Sequence, residues 1–280
     1  MSDPNPNTAA ADYLAHNRDH WNQRTAAHLT SAFYDVPAWL AGAESLREIE
    51  LALLPADLTG LRILHLQCHF GQDSLSLARR GATVTGVDLS DAAIAAARDL
   101  ADRAGLADRA TFINCDLYAL PDQLAAPAAF DLVFTTYGTI GWLPDLDRWA
   151  GVVAHFLRPG GRFVFVEFHP VAWLWNEDRT RVVYPYFGGC PIVEQTTGSY
   201  TDGSEAVGGT QVSWDHPVSR VITALLGHGL RLDHFAEYDY SPYDCFPDTE
   251  RVGEGRYAFR GMAGLLPLTY SLCCSAPGVA

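Results

Sequence analysis

Short apolar runs alternate with longer stripes of helical period from about residue 61 to residue 168. Ile63-Leu64-His65-Leu66 is an apolar run short enough for a buried strand. Gly71 follows, and Gln72 to Arg80 places Leu75, Leu77 and Ala78 in a helix that Gly81 closes. Val84-Thr85-Gly86-Val87 is the next strand, with Asp88 at its C-terminal end. Ser90 is a good N-cap for an alanine-rich helix from Asp91 to Ala104, ended by Gly105. Ala110 to Cys115 predicts a third strand ending at Asp116, and a short helix around Pro121 to Leu124 follows. Phe130 to Thr136 predicts a fourth strand that runs into Tyr137-Gly138-Thr139-Ile140-Gly141-Trp142. Asp145 to Leu157 is helical, Arg158-Pro159-Gly160-Gly161 is a turn, and Arg162 to Phe168 is a fifth strand. Such alternation implies right-handed crossovers and an α/β fold, a parallel sheet covered by helices on both faces. Ligands of such sheets bind beyond the carboxyl ends of the strands. The Leu66–Gly71 turn and Asp88 therefore fall at one site.

The flanking segments carry different patterns. Residues 1–9 read as disordered, and Ala10 to about Leu29 as a helix with Tyr13, His20, Trp21 and Ala27 on its face. An aromatic loop, Ser31 to Pro37, leads to a second helical pattern over Trp39–Leu53. Residues 170–215 are rich in aromatics, glycine and turn formers, with strand-like pieces at Arg181–Tyr184, Ile192–Gln195 and Thr210–Trp214. A helix opened by His216-Pro217, a strand over Leu230–Tyr238, a hairpin through Pro242–Arg260 and a strand over Leu266–Cys273 follow. The expected organisation is a helical lid (1–60), a core (61–169 and 216–280) and a β-rich cap insertion (170–215).

Charge and composition narrow the partners. A net charge of −14 argues against a phosphate backbone or an anionic membrane surface, both of which demand a basic face. All nineteen basic residues are arginine, so no lysine is present to form a Schiff base. The six cysteines include no C-x-x-C pair, which gives no support to a zinc or thioredoxin-type motif, and no metal is expected. The polar start and the lack of a long apolar run predict neither signal peptide nor membrane span. A cytoplasmic protein with reduced thiols is the expectation; its oligomeric state is not specified by sequence.

The motifs at the strand ends resemble those of the class I S-adenosylmethionine-dependent methyltransferases. ILHLQCHFG stands where that family has its apolar strand and glycine-rich turn, and Gln67 and His69 replace two usual glycines. The stretch is similar to a bacterial subgroup carrying LHLQCHFGQD. The resemblance implies a doubly wound, Rossmann-like sheet of seven strands and S-adenosylmethionine as cofactor. It places Asp88 on the ribose hydroxyls, and Asp116 on the adenine amino group with Cys115 and Leu117 lining the ring. Thr136 and Tyr137 then border the transferable methyl, and Leu157-Arg158-Pro159-Gly160-Gly161 matches the family's turn before strand five. Gln67, Cys68, His69, Phe70, Gly71, Leu89 and, from the lid, Tyr34 complete the expected cofactor site. Amides of Cys68–Gly71 are expected to favour the carboxylate of the cofactor. An NAD-type site would need G-x-G-x-x-G after the first strand, which this chain lacks.

Methyl transfer requires alignment and exclusion of water, and a base only if the acceptor must lose a proton. His169 is the candidate base, since histidine titrates near neutrality. Glu167 stands two residues before it on the same strand face, and Tyr137 is the third catalytic candidate. Trp142, Trp173, Tyr184, Tyr186, Trp214, His216 and the EYDYSPYD segment with Asp239, Tyr240, Tyr243 and Asp244 are further candidates for the acceptor side. His65 reads as a core histidine and Cys68 as a packed thiol. The expected function is methyl transfer to N or O of a small molecule. Two alternatives stand beside it: intramolecular cyclisation of the cofactor, of azetidine-carboxylate type with release of methylthioadenosine, and a non-catalytic cofactor-binding module.

Overall fold

The computed structural model describes residues 11–176, 178–202 and 206–278. The disorder expected for residues 1–9 falls outside that range. The elements run as α1 (Tyr13–Thr30), α2 (Val36–Leu40), α3 (Glu48–Leu53), β1 (Arg62–Leu66), α4 (Gln72–Arg79), β2 (Thr83–Asp88) and α5 (Asp91–Ala104). Next come β3 (Ala110–Asn114), α6 (Leu120–Gln123), β4 (Phe130–Thr136), α7 (Leu146–Phe156) and β5 (Leu157–Phe168). The remainder is β6 (Ile192–Thr197), β7 (Gly208–Ser213), α8 (Val218–Gly227), β8 (Arg231–Tyr238), β9 (Thr249–Gly253), β10 (Arg256–Phe259) and β11 (Thr269–Ser275).

Seven strands form one sheet in the order β3-β2-β1-β4-β5-β11-β8. The first five are mutually parallel, and β11 runs antiparallel to both β5 and β8. The order reverses between β1 and β4, so a crevice opens there beyond the strand ends. Strands covered on both faces read as continuous apolar runs. Accordingly, residues 63–66 of β1 are all buried. The one polar member, His65, donates or accepts at Ser74 Oγ (2.7 Å), and burial pushes its pKa down to about 3. It is a neutral core histidine. One face of the sheet is closed by α7 and α8, where Trp149, Phe156, Phe163 and Phe165 are fully buried. Burying each such ring contributes roughly 2–3 kcal/mol.

Local sequence explains most boundaries. Ser90 Oγ accepts from Ala93 N–H (3.0 Å) to start α5, and Gly105 ends it in the left-handed region at φ 67°. The helix expected over Trp39–Leu53 is instead two short helices. Gly42 at φ 114° breaks the pattern, and the Glu44 carboxylate accepts the amides of Ser45 and Leu46. The strand expected at Arg181–Tyr184 is reduced to a single bridge between Val182 and Trp175. Ile192–Thr197 and Gly208–Ser213 do form an antiparallel hairpin.

That hairpin packs on α1. Asn17 makes a reciprocal pair with the backbone of Val212, donating to its carbonyl (2.8 Å) and accepting from its amide (2.9 Å). Arg24 donates to Thr196 Oγ1 (3.0 Å) and the Gly198 carbonyl (2.8 Å). Asn22 ties the other side of α1 to the start of α5 through Ser90 and Asp91. The buried residues of α1 are Asn17, His20, Arg24, Thr25 and His28. They are all polar; of the face expected from sequence, Tyr13, His20, Trp21 and Ala27, only His20 is among them. Among the described residues, no helix is long and apolar enough to cross a membrane.

Candidate functional site

The chain leaves β1 and turns with every second residue left-handed: Gln67 at φ 55°, His69 at φ 51° and Gly71 at φ 75°. Only glycine adopts this conformation without cost. At Gly71 the requirement is also steric, because a Cβ would lie 2.6 Å from the Phe112 ring. At the other two positions side-chain contacts hold the backbone. Gln67 Nε2 donates to the Thr139 carbonyl (2.8 Å). His69 Nε2 shares a hydrogen bond with His28 Nδ1 (2.8 Å), and His28 Nε2 meets Ser199 Oγ (2.8 Å). Burial lowers both imidazole pKa values, His28 to about 4 with help from Arg24 and His69 well below the usual range. The shared bond therefore joins neutral rings. The loop, α1 and the segment after β6 are tied at one point, with Trp21 edge-on to His69 at 5.4 Å.

Three amides of this loop are already committed, two of them to β2. Cys68 N–H donates to the Val87 carbonyl (2.9 Å), His69 N–H to Asp88 Oδ2 (2.8 Å) and Gly71 N–H to the Cys68 carbonyl (2.9 Å). The expected carboxylate cradle across Cys68–Gly71 is corrected on this ground. Asp88 also accepts from Ser90 N–H at Oδ1 (2.8 Å), so each oxygen takes one amide and keeps further lone-pair capacity. Burial raises its pKa to about 6. Asp116 caps the turn after β3 by accepting from Tyr118 N–H (3.1 Å). Cys68 is buried and its thiol is pushed up, which leaves it a packed side chain.

These groups open into a cavity of about 1210 Å3. Gln67, Cys68, His69, Phe70, Gly71, Asp88, Leu89, Asp116, Leu117, Thr136 and Tyr34 all line it, as do Tyr137 and Glu167. Trp142, Trp173, Tyr184, Trp214, His216, Tyr243 and Asp244 share the lining, whereas Tyr186, Asp239 and Tyr240 do not.

The ends of β4 and β5 differ from the sequence expectation. Glu167 accepts from the amides of Gly138, Thr139 (2.7 Å), Ile140 (3.2 Å) and Phe168 (2.7 Å), and from Thr139 Oγ1 (3.0 Å). It fastens the loop after β4, and its lone pairs are occupied. His169 is not on the cavity wall. Its Nδ1 accepts from Val171 N–H (3.2 Å), and its Nε2 faces Glu237 on β8 at 3.1 Å. The Glu167–His169 pair does not form, because the chain turns into a 3-10 segment at Pro170 and swings the ring toward the β8 edge. Burial lowers the His169 pKa against the opposing pull of Glu237. This placement removes it from the general-base role.

Tyr137 is held differently. It occupies the left-handed region at φ 45°, and its hydroxyl donates to Glu50 Oε2 (2.5 Å). Glu50 is wholly buried and also accepts from Arg47 N–H (2.6 Å). Its pKa is raised to about 7, by burial first and with Asp73 adding to it, against the Tyr137 hydrogen bond. Sequence reasoning missed Glu50 and Arg47. The only signal was an unneeded carboxylate inside the apolar face of Glu48–Leu53.

The same fold and similar sequences occur in known proteins. The family "Methyltransferase domain" matches residues 63–161. A demethylmenaquinone methyltransferase of Thermus thermophilus is 36% identical over 167 residues, 58% of this chain and 71% of that protein. The methyltransferase GfsG of Streptomyces halstedii is 35% identical over 39% of this chain and only 38% of its own length. A crystal structure of an S-adenosylmethionine-dependent methyltransferase from Mesorhizobium loti superposes with a TM-score of 0.52 at 22% identity, over 84% of this chain and 99% of that one. The chain belongs to the class I S-adenosylmethionine-dependent methyltransferases, and S-adenosylmethionine is its cofactor.

The cavity fits that cofactor on its own geometry. Asp88 retains acceptor capacity for two hydroxyls at the end of β2. Gln67 Oε1 is buried beside the loop and, among the described residues, has no hydrogen-bond partner, which leaves an acceptor for a bound donor. A side chain at Gly86 would meet Phe112 at 2.7 Å and Cys68 Sγ at 2.9 Å, so the floor is already close-packed. Among the described residues no group of three His, Cys, Asp or Glu side chains is arranged to hold a metal ion.

Proposed function

We propose that the protein transfers the cofactor's methyl group to nitrogen or oxygen of a small molecule enclosed beneath α1 and the β6–β7 hairpin, which together act as lid and cap. The observation that carries this reading is the single cavity that joins the cofactor residues to an aromatic far wall. At about 1210 Å3 it exceeds the roughly 300–1,000 Å3 usual for one small ligand. That volume supports a second reactant, and it speaks against a closed pocket for intramolecular cyclisation. The acidic surface charge and the enclosed site favour a small molecule over nucleic acid.

The cofactor supplies an electrophilic methyl on a sulfonium. Asp88 holds the ribose, Asp116 and Leu117 border the adenine, and Gln67 Oε1 takes the α-ammonium. Arg47, on the cavity wall with its Nε buried and unpartnered, is the cation available to the carboxylate. Tyr137 stands at the strand end that borders the methyl. Its oxygen accepts the acceptor's proton as its own proton passes to Glu50, which holds it. Loop 137–140, fastened by Glu167, keeps that geometry.

Tyr137→Phe is expected to leave cofactor affinity within about threefold and to lower kcat by at least about 100-fold, the range of positioned acid–base groups. Calorimetry and single-turnover kinetics measure the two. Unchanged turnover would remove Tyr137 from the proton path. Methylthioadenosine formed from cofactor alone would replace methyl transfer with cyclisation.

A further inference from the structure

Asp215 lies between β7 and α8, on a segment pinned to the loop after β4. Trp214 N–H donates to the Gly141 carbonyl (2.8 Å), and His216 Nε2 lies 2.8 Å from the Leu143 carbonyl. Asp215 is only 8% exposed and lines the cavity, yet among the described residues its buried Oδ2 has no hydrogen-bond partner. Burial raises its pKa to about 6, and the nearest charge acting on it, Glu194, pushes the same way. The one buried arginine on this side, Arg24, spends its donors on the carbonyls of His20 and Gly198 and on Thr196 Oγ1.

The neighbouring groups are also acceptors. His216 must carry its proton on Nε2 to meet the Leu143 carbonyl, so Nδ1 bears a lone pair, and Nδ1 is buried and unpartnered. Glu194 lies on the same wall, with one oxygen on Tyr184 Oη (2.5 Å) and the other on Gln211 Nε2 (2.8 Å). Trp214 and Tyr184 add aromatic faces to that lining. A desolvated carboxylate without a cation is costly, and a second carboxylate nearby compounds the cost. A wall of acceptors and aromatic rings suits one kind of guest, a donor-rich cation.

We propose that Asp215, with Glu194 and His216 Nδ1, anchors the ammonium group of the methyl acceptor, so that the substrate is an amine-bearing small molecule. This rests on the reading of the cavity as a methyl-acceptor site. The anchored ammonium satisfies the Asp215 oxygen and offsets one of the pair's two negative charges, beneath the enclosing hairpin.

The test uses the protein loaded with S-adenosylhomocysteine and three probes of matched shape: phenethylamine, 2-phenylethanol and 3-phenylpropionate. The amine is expected to bind at least about tenfold more tightly than the alcohol or the acid, the scale of one charge-assisted hydrogen bond. Asp215→Asn, which keeps the shape and removes a charge, should abolish that preference while S-adenosylhomocysteine binds within about threefold of wild type. Glu194→Gln should reduce the preference. Equal binding of the three probes, binding of none, or a preference that survives Asp215→Asn overturns the proposal. Failure of wild type to bind S-adenosylhomocysteine would instead refute the cofactor site itself.

Discussion

Two carboxylates lining the cavity are both buried and are oppositely treated. Glu167, at the end of β5, accepts four backbone amides and a hydroxyl. Asp215, after β7, offers an oxygen that no described residue hydrogen-bonds. Burial alone therefore says little about what an acid does. A saturated carboxylate acts on the fold, here by clamping the loop that carries Tyr137. An unsaturated one is completed by something from outside. The same contrast appears within the side built from α1 and the segment after β7, where Asn17 and Arg24 are paired while, among the described residues, His20 Nδ1, Asp215 Oδ2 and His216 Nδ1 have no hydrogen-bond partner.

The largest effect that could break this contrast is at Glu167. Glu167→Ala strands several buried amides, and denaturant unfolding should show a loss of at least about 3 kcal/mol. A loss below about 1 kcal/mol would mean the clamp carries no structural weight. Next in size, Asp88→Ala removes two hydroxyl acceptors and two amide partners. Calorimetry should find S-adenosylmethionine bound about 30- to 100-fold more weakly, and full affinity would end the ribose assignment. The smallest effect has the opposite sign. Asp215→Asn should stabilise the ligand-free protein by about 1–2 kcal/mol at pH 7. The folded pKa of about 6 stands above the ordinary 3.8. The folded state thus holds this proton more tightly, the penalty is absent below about pH 4, and it grows to its full size above about pH 6. Glu194 adds to the penalty, and among the described residues no cation acts on the group to offset it. Melting curves of the two proteins should converge in acid, and a variant less stable than wild type at pH 7 would contradict an unpaired charge.

The sheet was legible because strands covered on both sides need unbroken apolar runs, as in Ile63–Leu66 and Phe130–Thr136. The spacing of Asp88 and Asp116 behind those runs put both on the cavity. Other features depended on contacts far apart in the chain. Gln67 and His69 adopt a conformation normally announced by glycine, and only Thr139 and His28 explain why they can. The inward face of α1 is polar because it borders a cavity, so the sequence pattern found His20, Tyr13 and Trp21 on the cavity but not Asn17 and Arg24 beside them. His169 sits on the right strand, but a turn at Pro170 decides which way its ring faces. The solitude of Asp215 is a property of its surroundings, and no residue type encodes an absent partner.

The reciprocal bond between Asn17 and Val212 spans 195 residues. It also fixes an order of events during synthesis. A helix whose buried face is polar gains little from collapse, so α1 must be captured by specific hydrogen bonds. One set becomes available once Asn22 can reach residues 90–91, but the other waits for the hairpin that ends at Ser213. From Asp91 to Ser213, at roughly 5–20 residues per second, that wait is roughly 6–24 s. From the completion of β5 to the end of that interval the nascent chain holds the five parallel strands that frame the cofactor crevice, with its roof only half attached. Cofactor present in the cell can then enter before the cavity is enclosed.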